Sequence, residues 1–285
     1  MSHSVVLCST GAGTWYSSRG TDPCTILTYG HQLGVDLEPL VGRSWCERLE
    51  EVVALFNRSG LRFPVIHTQK EIGPALGSAS MEERVQALSW LDTNCQLGAR
   101  LGAHLVVLHL WGLPTGDTHL ERNLGMLRAC IDCAERYGLD LAVESIPCTV
   151  GDPLSNLHRA CQQDARCQIA LDTEFLALHH QVEAVFASDW LWRGEQRVRH
   201  IHIKDFDGQM LSPDGHRRYL HPGQGHIDFL QFFSDLRQRN FAGSVSLEAI
   251  AVTRDQQVDV HRLTTSLRFI QECMTLACIG DNEIP

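Results

Sequence analysis

Apolar residues along this chain follow two alternating rhythms. Short apolar runs that read as strands occupy 4–9, 34–38, 62–67, 104–110, 139–145, 168–173, 199–205 and 244–250. Between them lie longer stretches with apolar positions three and four residues apart, the period of a helix with one buried face. Residues 44–60 start at a serine and stop at Gly60, and 81–102 stop in the same way at a glycine. Residues 118–138 offer Thr118 and Glu121 as a capping box and Gly138 as a stop. Residues 227–243 and 258–278 supply the last two helices. The crossover after Gly11 is rich in Gly and Thr and has the weakest pattern.

Strands alternating with helices imply parallel strands joined by right-handed crossovers. Eight such units in 285 residues predict an α/β fold, a single-domain (β/α)8 TIM barrel spanning 1–285, with its active site at the C-terminal strand ends. The rival is an open doubly wound sheet. Its usual nucleotide signature is absent, because STGAGTW after the first run has GxG without the third glycine.

Side chains alternate across a strand, and that alternation sorts the polar residues. Glu144 shares a face with Ala142, Asp172 with Ala170, and Glu248 with Ser246. Leu141, Val143, Ile169, Leu171, Val245 and Leu247 take the opposite faces. In RHIHIKD, His200, His202 and Lys204 alternate with Ile201 and Ile203. The large apolar residues are therefore expected against the helices, and the small and ionisable ones toward the barrel axis. His67 and His109 also sit near strand ends.

Carboxylates converging in a buried place repel one another and lose hydration. A divalent cation resolves both problems. Glu144, Asp172, His202 and Glu248 are the expected ligands, a mixed N/O set suited to Mn²⁺, Zn²⁺, Co²⁺ or Mg²⁺. A lone carboxylate at a strand end is as often a helix cap or half of an ion pair, but four strands carrying the pattern together are hard to assign to caps. His200 reads as structural. Glu38 either joins the site or is exposed.

Composition narrows the partners. The net charge of −10 opposes a phosphate backbone, so no nucleic acid is expected. No apolar run is long enough for a membrane span, and the start of the chain carries no signal-peptide pattern. The 11 scattered cysteines read as small buried side chains of a cytoplasmic protein, including the CxxC of Cys130 and Cys133. A homo-oligomer is left open.

The segments LAVES, ALDTEF, HIHIKDFDG, PGQGHIDF and SLEAI, in that order, resemble the xylose isomerase-like TIM barrels, the sugar isomerase and epimerase superfamily that includes endonuclease IV. The resemblance covers nearly the whole chain. It implies that Glu144, Asp172, His202 and Glu248 are metal ligands, that the two glutamates flank the substrate carbon, and that Gly223 and Gly225 form a turn before the crossover helix. Two departures stand out. Phe175 takes the place of a zinc-binding histidine of endonuclease IV, and Arg217 and Tyr219 take the place of its Asp-x-His pair. His67 and His109 match histidines that bind a further zinc there, which leaves a second ion open.

The expectation is a metal-dependent isomerase or epimerase of a sugar, sugar phosphate or polyol. Glu144 and Glu248 exchange the proton α to a carbonyl, and His67, His109, Trp111 and Lys204 grip substrate oxygens. An inosose-type dehydratase shares the first step. An endonuclease IV-like repair nuclease is the less favoured alternative, and a barrel that only binds a ligand is a third. Arg217, Arg218 and His216 could hold a phosphate or carboxylate.

Overall fold

The computed structural model describes residues 4–14, 22–194 and 196–279. Eight strands form one parallel sheet: β1 Val5–Ser9, β2 Asp36–Glu38, β3 Val65–His67, β4 Leu105–Leu108, β5 Asp140–Glu144, β6 Gln168–Asp172, β7 Val198–Ile203 and β8 Ser244–Leu247. Every expected strand is present, most of them trimmed, and β7 starts one residue earlier than expected. The order β2-β1-β8-β7-β6-β5-β4-β3 is that of a barrel opened between β2 and β3. That seam carries its own bonds. His67 N donates to Pro39 O at 2.9 Å, and Val41 N donates to His67 O at 2.9 Å. Pro39 cannot donate to a ladder but can accept, so the chain after β2 closes the ring.

The outer layer runs α1 Pro23–Leu33, α2 Arg43–Glu47, α3 Leu49–Ser59, α4 Ile72–Leu76, α5 Met81–Arg100 and α6 Leu120–Glu135. It continues with α7 Pro153–Gln163, α8 Thr173–Leu178, α9 Val182–Ala187, α10 Asp189–Trp192, α11 Phe229–Gln238 and α12 Val260–Ile279. Among the described residues no helix is long and apolar enough to cross a membrane. Cys130 and Cys133 are buried on α6 as free thiols.

Three local expectations need correction. The stretch 44–60 is two helices, because Arg48 leaves helical geometry. The break brings the rings of Trp45 and Phe56 to 5.4 Å, whereas eleven residues along one straight helix would separate them by about 16 Å. The capping box at Thr118 does not form. Thr118 Oγ1 instead donates to Thr115 O at 2.6 Å, Glu121 pairs with Arg159, and the helix starts one turn position later. The helix α7 was missed, although its signal is plain afterwards: Asp152 caps Ser155 N and Pro153 takes the first turn. Part of the Gly- and Thr-rich first crossover, residues 15–21, lies outside the described residues.

The core has two compartments, as the alternation predicts. Leu141, Val143, Ile169, Leu171, Ile201, Ile203, Val245 and Leu247 belong to the large cluster shared with the helices. A separate small cluster of Leu7, Val65, Leu105, Val107, Ala142 and Ala170 fills the barrel interior. The next inward positions on β3 to β6 are His67, His109, Glu144 and Asp172. The strands therefore stack ionisable groups directly on an apolar floor.

Candidate metal centre

One atom from each of Glu144, Asp172, His202 and Glu248 lies within 4.8 Å of every other. The four sit on or just after β5, β6, β7 and β8 and are buried. Two ligands of one ion at about 2.0–2.2 Å can be up to about 4.4 Å apart, so a closure of a few tenths of an ångström seats an ion among them. A second group, His67, His109 and Glu144, is equally close, and a third is Glu38, His200 and His202.

Each side chain is held from behind. His202 Nδ1 lies 2.9 Å from Glu144 Oε1, and its Nε2 lies 2.9 Å from Glu38 Oε1. Glu38 continues to His200 Nε2 at 3.1 Å, and His200 Nδ1 reaches Ser244 Oγ at 2.7 Å. Glu38 is thus a fully buried partner of the cluster and not an exposed residue. Its signal in the sequence was its inward alternation beside Leu37. Asp172 combines two roles. Its Oδ1 caps α8 by accepting from Glu174 N at 2.9 Å and Phe175 N at 3.2 Å, while Oδ2 points into the cluster.

Several of these atoms meet a partner at short range without hydrogen-bond alignment. His109 Nε2 is 2.7 Å from Glu144 Oε2, and Asp172 Oδ2 is 2.6 Å from Lys204 Nζ, yet neither makes an aligned bond. Glu248 Oε1 also has none. Buried lone pairs that converge without an aligned donor are what a cation site presents. Lys204 Nζ donates to Glu248 Oε2 at 2.7 Å and places an ammonium among the acids. The donor set and its unaligned atoms fit a divalent ion.

Electrostatics separates the groups. Burial raises the pKa of Glu144, but His202 and His109 outweigh it and hold the carboxyl well below the usual range. Glu248 is lowered in the same way by Lys204 and His202. Asp172 goes the other way, pushed up to about 7 by burial and by the neighbouring Glu144 and Glu248, against the pull of Lys204. Lys204 and His202 both lose hydration, yet the carboxylates around them raise both well above their ordinary values. Burial lowers His109 to about 4.

The expected pocket residues divide. His109 and Lys204 line a cleft of about 810 Å³ above the cluster, together with Lys70, Trp90, Phe175 and Tyr219. His67 has no exposed surface and faces Glu144, with Nε2 3.2 Å from its Oε2. Trp111 is corrected from pocket wall to core. It is fully buried behind the cleft, and its indole N–H donates to Pro147 O at 3.3 Å. The backbone passes closely here, since a Cβ on Gly73 would collide with the carbonyls of His109 and Trp111. Lys70, with Nζ 3.8 Å from Glu248 Oε1, had no sequence signal because it lies in a loop. Glu174, buried beside Lys204 and Arg217, had no signal either: it lies on the six-residue α8 directly after the strand end, too short a helix to show a period.

The departures at Phe175, Arg217 and Tyr219 find their own uses. Lys204 Nζ sits 4.5 Å from the Phe175 ring centre. Arg217 stacks 4.7 Å above Tyr219 and pairs with Glu174 Oε1 at 2.6 Å. The turn at Gly223 and Gly225 is fixed by Asp205, whose Oδ2 accepts from both amides at 2.9 and 2.8 Å. A Cβ at Gly225 would strike that carboxylate.

A sequence profile described as "Xylose isomerase-like TIM barrel" matches residues 31–273. No curated protein matches the sequence significantly. Among solved structures, 3-keto-D-glucoside 4-epimerase from E. coli is similar at 19% identity and TM-score 0.68, over 95% of this chain and 100% of that one. D-Psicose 3-epimerase from Clostridium cellulolyticum H10 is similar at 14% and 0.69, over 95% and 99%. An L-ribulose 3-epimerase is similar at 16% and 0.69, over 99% and 100%. At these identities the likeness is one of fold.

Proposed function

This chain belongs to the xylose isomerase-like TIM barrel family, and from that premise we propose that it is a divalent-metal-dependent isomerase or epimerase of a sugar or related polyol. The observation that carries the reading is the meeting of Glu144, Asp172, His202 and Glu248, from four strands, within 4.8 Å beneath a large cleft. That the similar structures are sugar epimerases supports it.

Glu144, Asp172, His202 and Glu248 would hold the ion, which when bound would supply Lewis acidity to a carbonyl and an adjacent hydroxyl oxygen. Glu248 is the better placed base. It borders a small cleft with Lys70 and Tyr219, and its Oε1 has no aligned partner. It takes the proton α to the carbonyl. Glu144, held among His67, His109 and His202, is the candidate for returning it at the neighbouring carbon or the opposite face. Lys204 stays an ammonium and is positioned to steady negative charge developing on a substrate oxygen. An inosose-type dehydratase would use the same first step. The nuclease alternative gains no support, since Arg217 and Tyr219 engage each other and Glu174 where that chemistry needs ligands.

Metal analysis of the purified protein should find a bound divalent ion, and incubation with ketohexoses in D₂O should exchange the α proton. Glu248→Gln should stop exchange while leaving the far-UV spectrum unchanged. A metal-free protein that nicks abasic DNA and exchanges nothing across a broad sugar panel would sink the reading.

A further inference from the structure

The cleft above the acids is larger and less polar than a simple sugar requires. At about 30 Å³ per non-hydrogen atom, the share of one liquid water and therefore an upper bound, a hexose fills less than half of its 810 Å³. The remainder is bordered by Trp90, Leu113, Pro114, Ile146, Pro147 and Met210. Trp90 is half-buried on α5, and Leu113 is 79% exposed at the rim. His109 and Lys204, from the acid cluster, line the same cavity, so the apolar arm and the reacting end are continuous.

The charges in this cleft are already matched. Arg217 is committed to Glu174, and Lys204 to Asp172 and Glu248. Lys70 sits 3.8 Å from Glu248. Arg218, next along the loop, pairs with Asp207 at 2.6 Å, and His216 is exposed. Glu71 and Glu83 add acids to the lining. A phosphate entering here would have to compete with Glu174 or Glu248 for its cation and so weaken the compensation of a buried carboxylate.

We propose that the substrate is an uncharged sugar that keeps a free carbonyl and bears an apolar substituent away from it, such as an aryl-substituted keto sugar, whose sugar ring lies on the acid cluster and whose apolar part lies along Trp90, Leu113, Pro114, Ile146, Pro147 and Met210. Aryl glycosides, whose acetal blocks the chemistry, are unreactive probes of the same cleft. The substituent is desolvated against a flat indole and two prolines, a surface that favours an aromatic ring. The proposal rests on the isomerase reading for the identity of the ring, and on the cleft alone for the substituent.

Titration calorimetry with the intact protein separates the two. Phenyl β-D-glucoside should bind at least tenfold more tightly than methyl β-D-glucoside, and glucose 6-phosphate should bind no more tightly than glucose. Trp90→Ala should erase the phenyl preference and leave methyl glucoside unchanged. Leu113→Ser should reduce that preference several-fold, and its exposed position guards against a folding defect. Equal affinity for the two glucosides, no phenyl glucoside binding, or tighter binding of the phosphate overturns the apolar subsite. Proton exchange with free ketohexoses alongside equal glucoside affinities would sink the subsite and keep the isomerase. A phenyl preference without exchange on any sugar would do the reverse.

Discussion

The barrel interior has two halves built on the same alternation and filled in opposite ways. Under β3 to β6 the inward positions below the site are Val65, Leu105, Val107, Ala142 and Ala170, a dry packed floor. Under β7, β8 and β2 they are His200, Ser244, Ser246 and Glu38, all buried. There the side chains form a hydrogen-bonded column, from Ser244 through His200, Glu38 and His202 to Glu144. The apolar half gains stability by excluding water. The polar half gains none that way, and is tolerable only because nearly every member has a partner. What it provides is direction. With Nε2 of His202 facing Glu38, Nδ1 is the nitrogen left to face the acids, as carboxylate partners behind metal-binding histidines do.

The sharpest way to break this comparison is to put a charge into the dry half. Val107→Asp has no partner within the floor and should cost several kcal/mol, enough to abolish folding of a marginally stable domain. Soluble expression with a native-like melting temperature would show that the floor is wet. In the polar half, Glu144→Gln should lower formation of the isomerised or epimerised product by about 10²–10⁴-fold with the barrel still folded. Undiminished product formation would remove Glu144 from the chemistry. Glu38→Gln should weaken divalent-metal affinity about 10–100-fold, read by calorimetry, because it acts only through His202. Unchanged affinity would make the column purely structural.

Chelation is expected to act more gently. Stripping an ion present at 100 times its Kd removes about 2.7 kcal/mol, a fall of roughly 5 °C in melting temperature. A chelator without effect on melting would argue that nothing occupies the site. The smallest effect sharpens how neighbours set the charge of a buried imidazole. His202, between carboxylates, is raised, whereas His221 is lowered to about 4 by burial and by Arg262. His221 faces neutral partners, Ser266 Oγ at 2.7 Å and Ile250 O at 3.1 Å. Below pH 6.5 the unfolded chain binds the proton that folded His221 refuses. Its contribution is therefore complete above about 6.5 and lost as pH falls toward 4, on the order of 3 kcal/mol. His221→Asn should flatten the stability profile over that window, and an unchanged slope would assign the loss to other groups.

The sequence was most informative where period decides the outcome. Inward and outward faces of a strand follow from counting residues, so the placement of Glu144, Asp172, His202 and Glu248 on one face was legible before any coordinates. It was least informative where contacts cross elements. Trp111, expected to grip substrate two residues past His109, is turned into the core by its loop. Arg48 breaks a helix whose pattern runs straight through it, because the break lets Trp45 reach Phe56. Lys70 lies in a loop, and Glu174 on a helix of six residues, too short for a period to be read.

The sequence by itself determined the fold class, the two faces of every strand and the acids that share the axis, since these depend on local geometry that repeats every two residues. Tertiary structure alone decided which nitrogen of His202 faces Glu38, where the Lys204 ammonium rests, and that Trp90 of a distant helix lines the same cleft as His109 and Lys204. Those depend on side chains far apart in the chain arriving within a few ångströms of one another. No repeat in the sequence encodes such a distance.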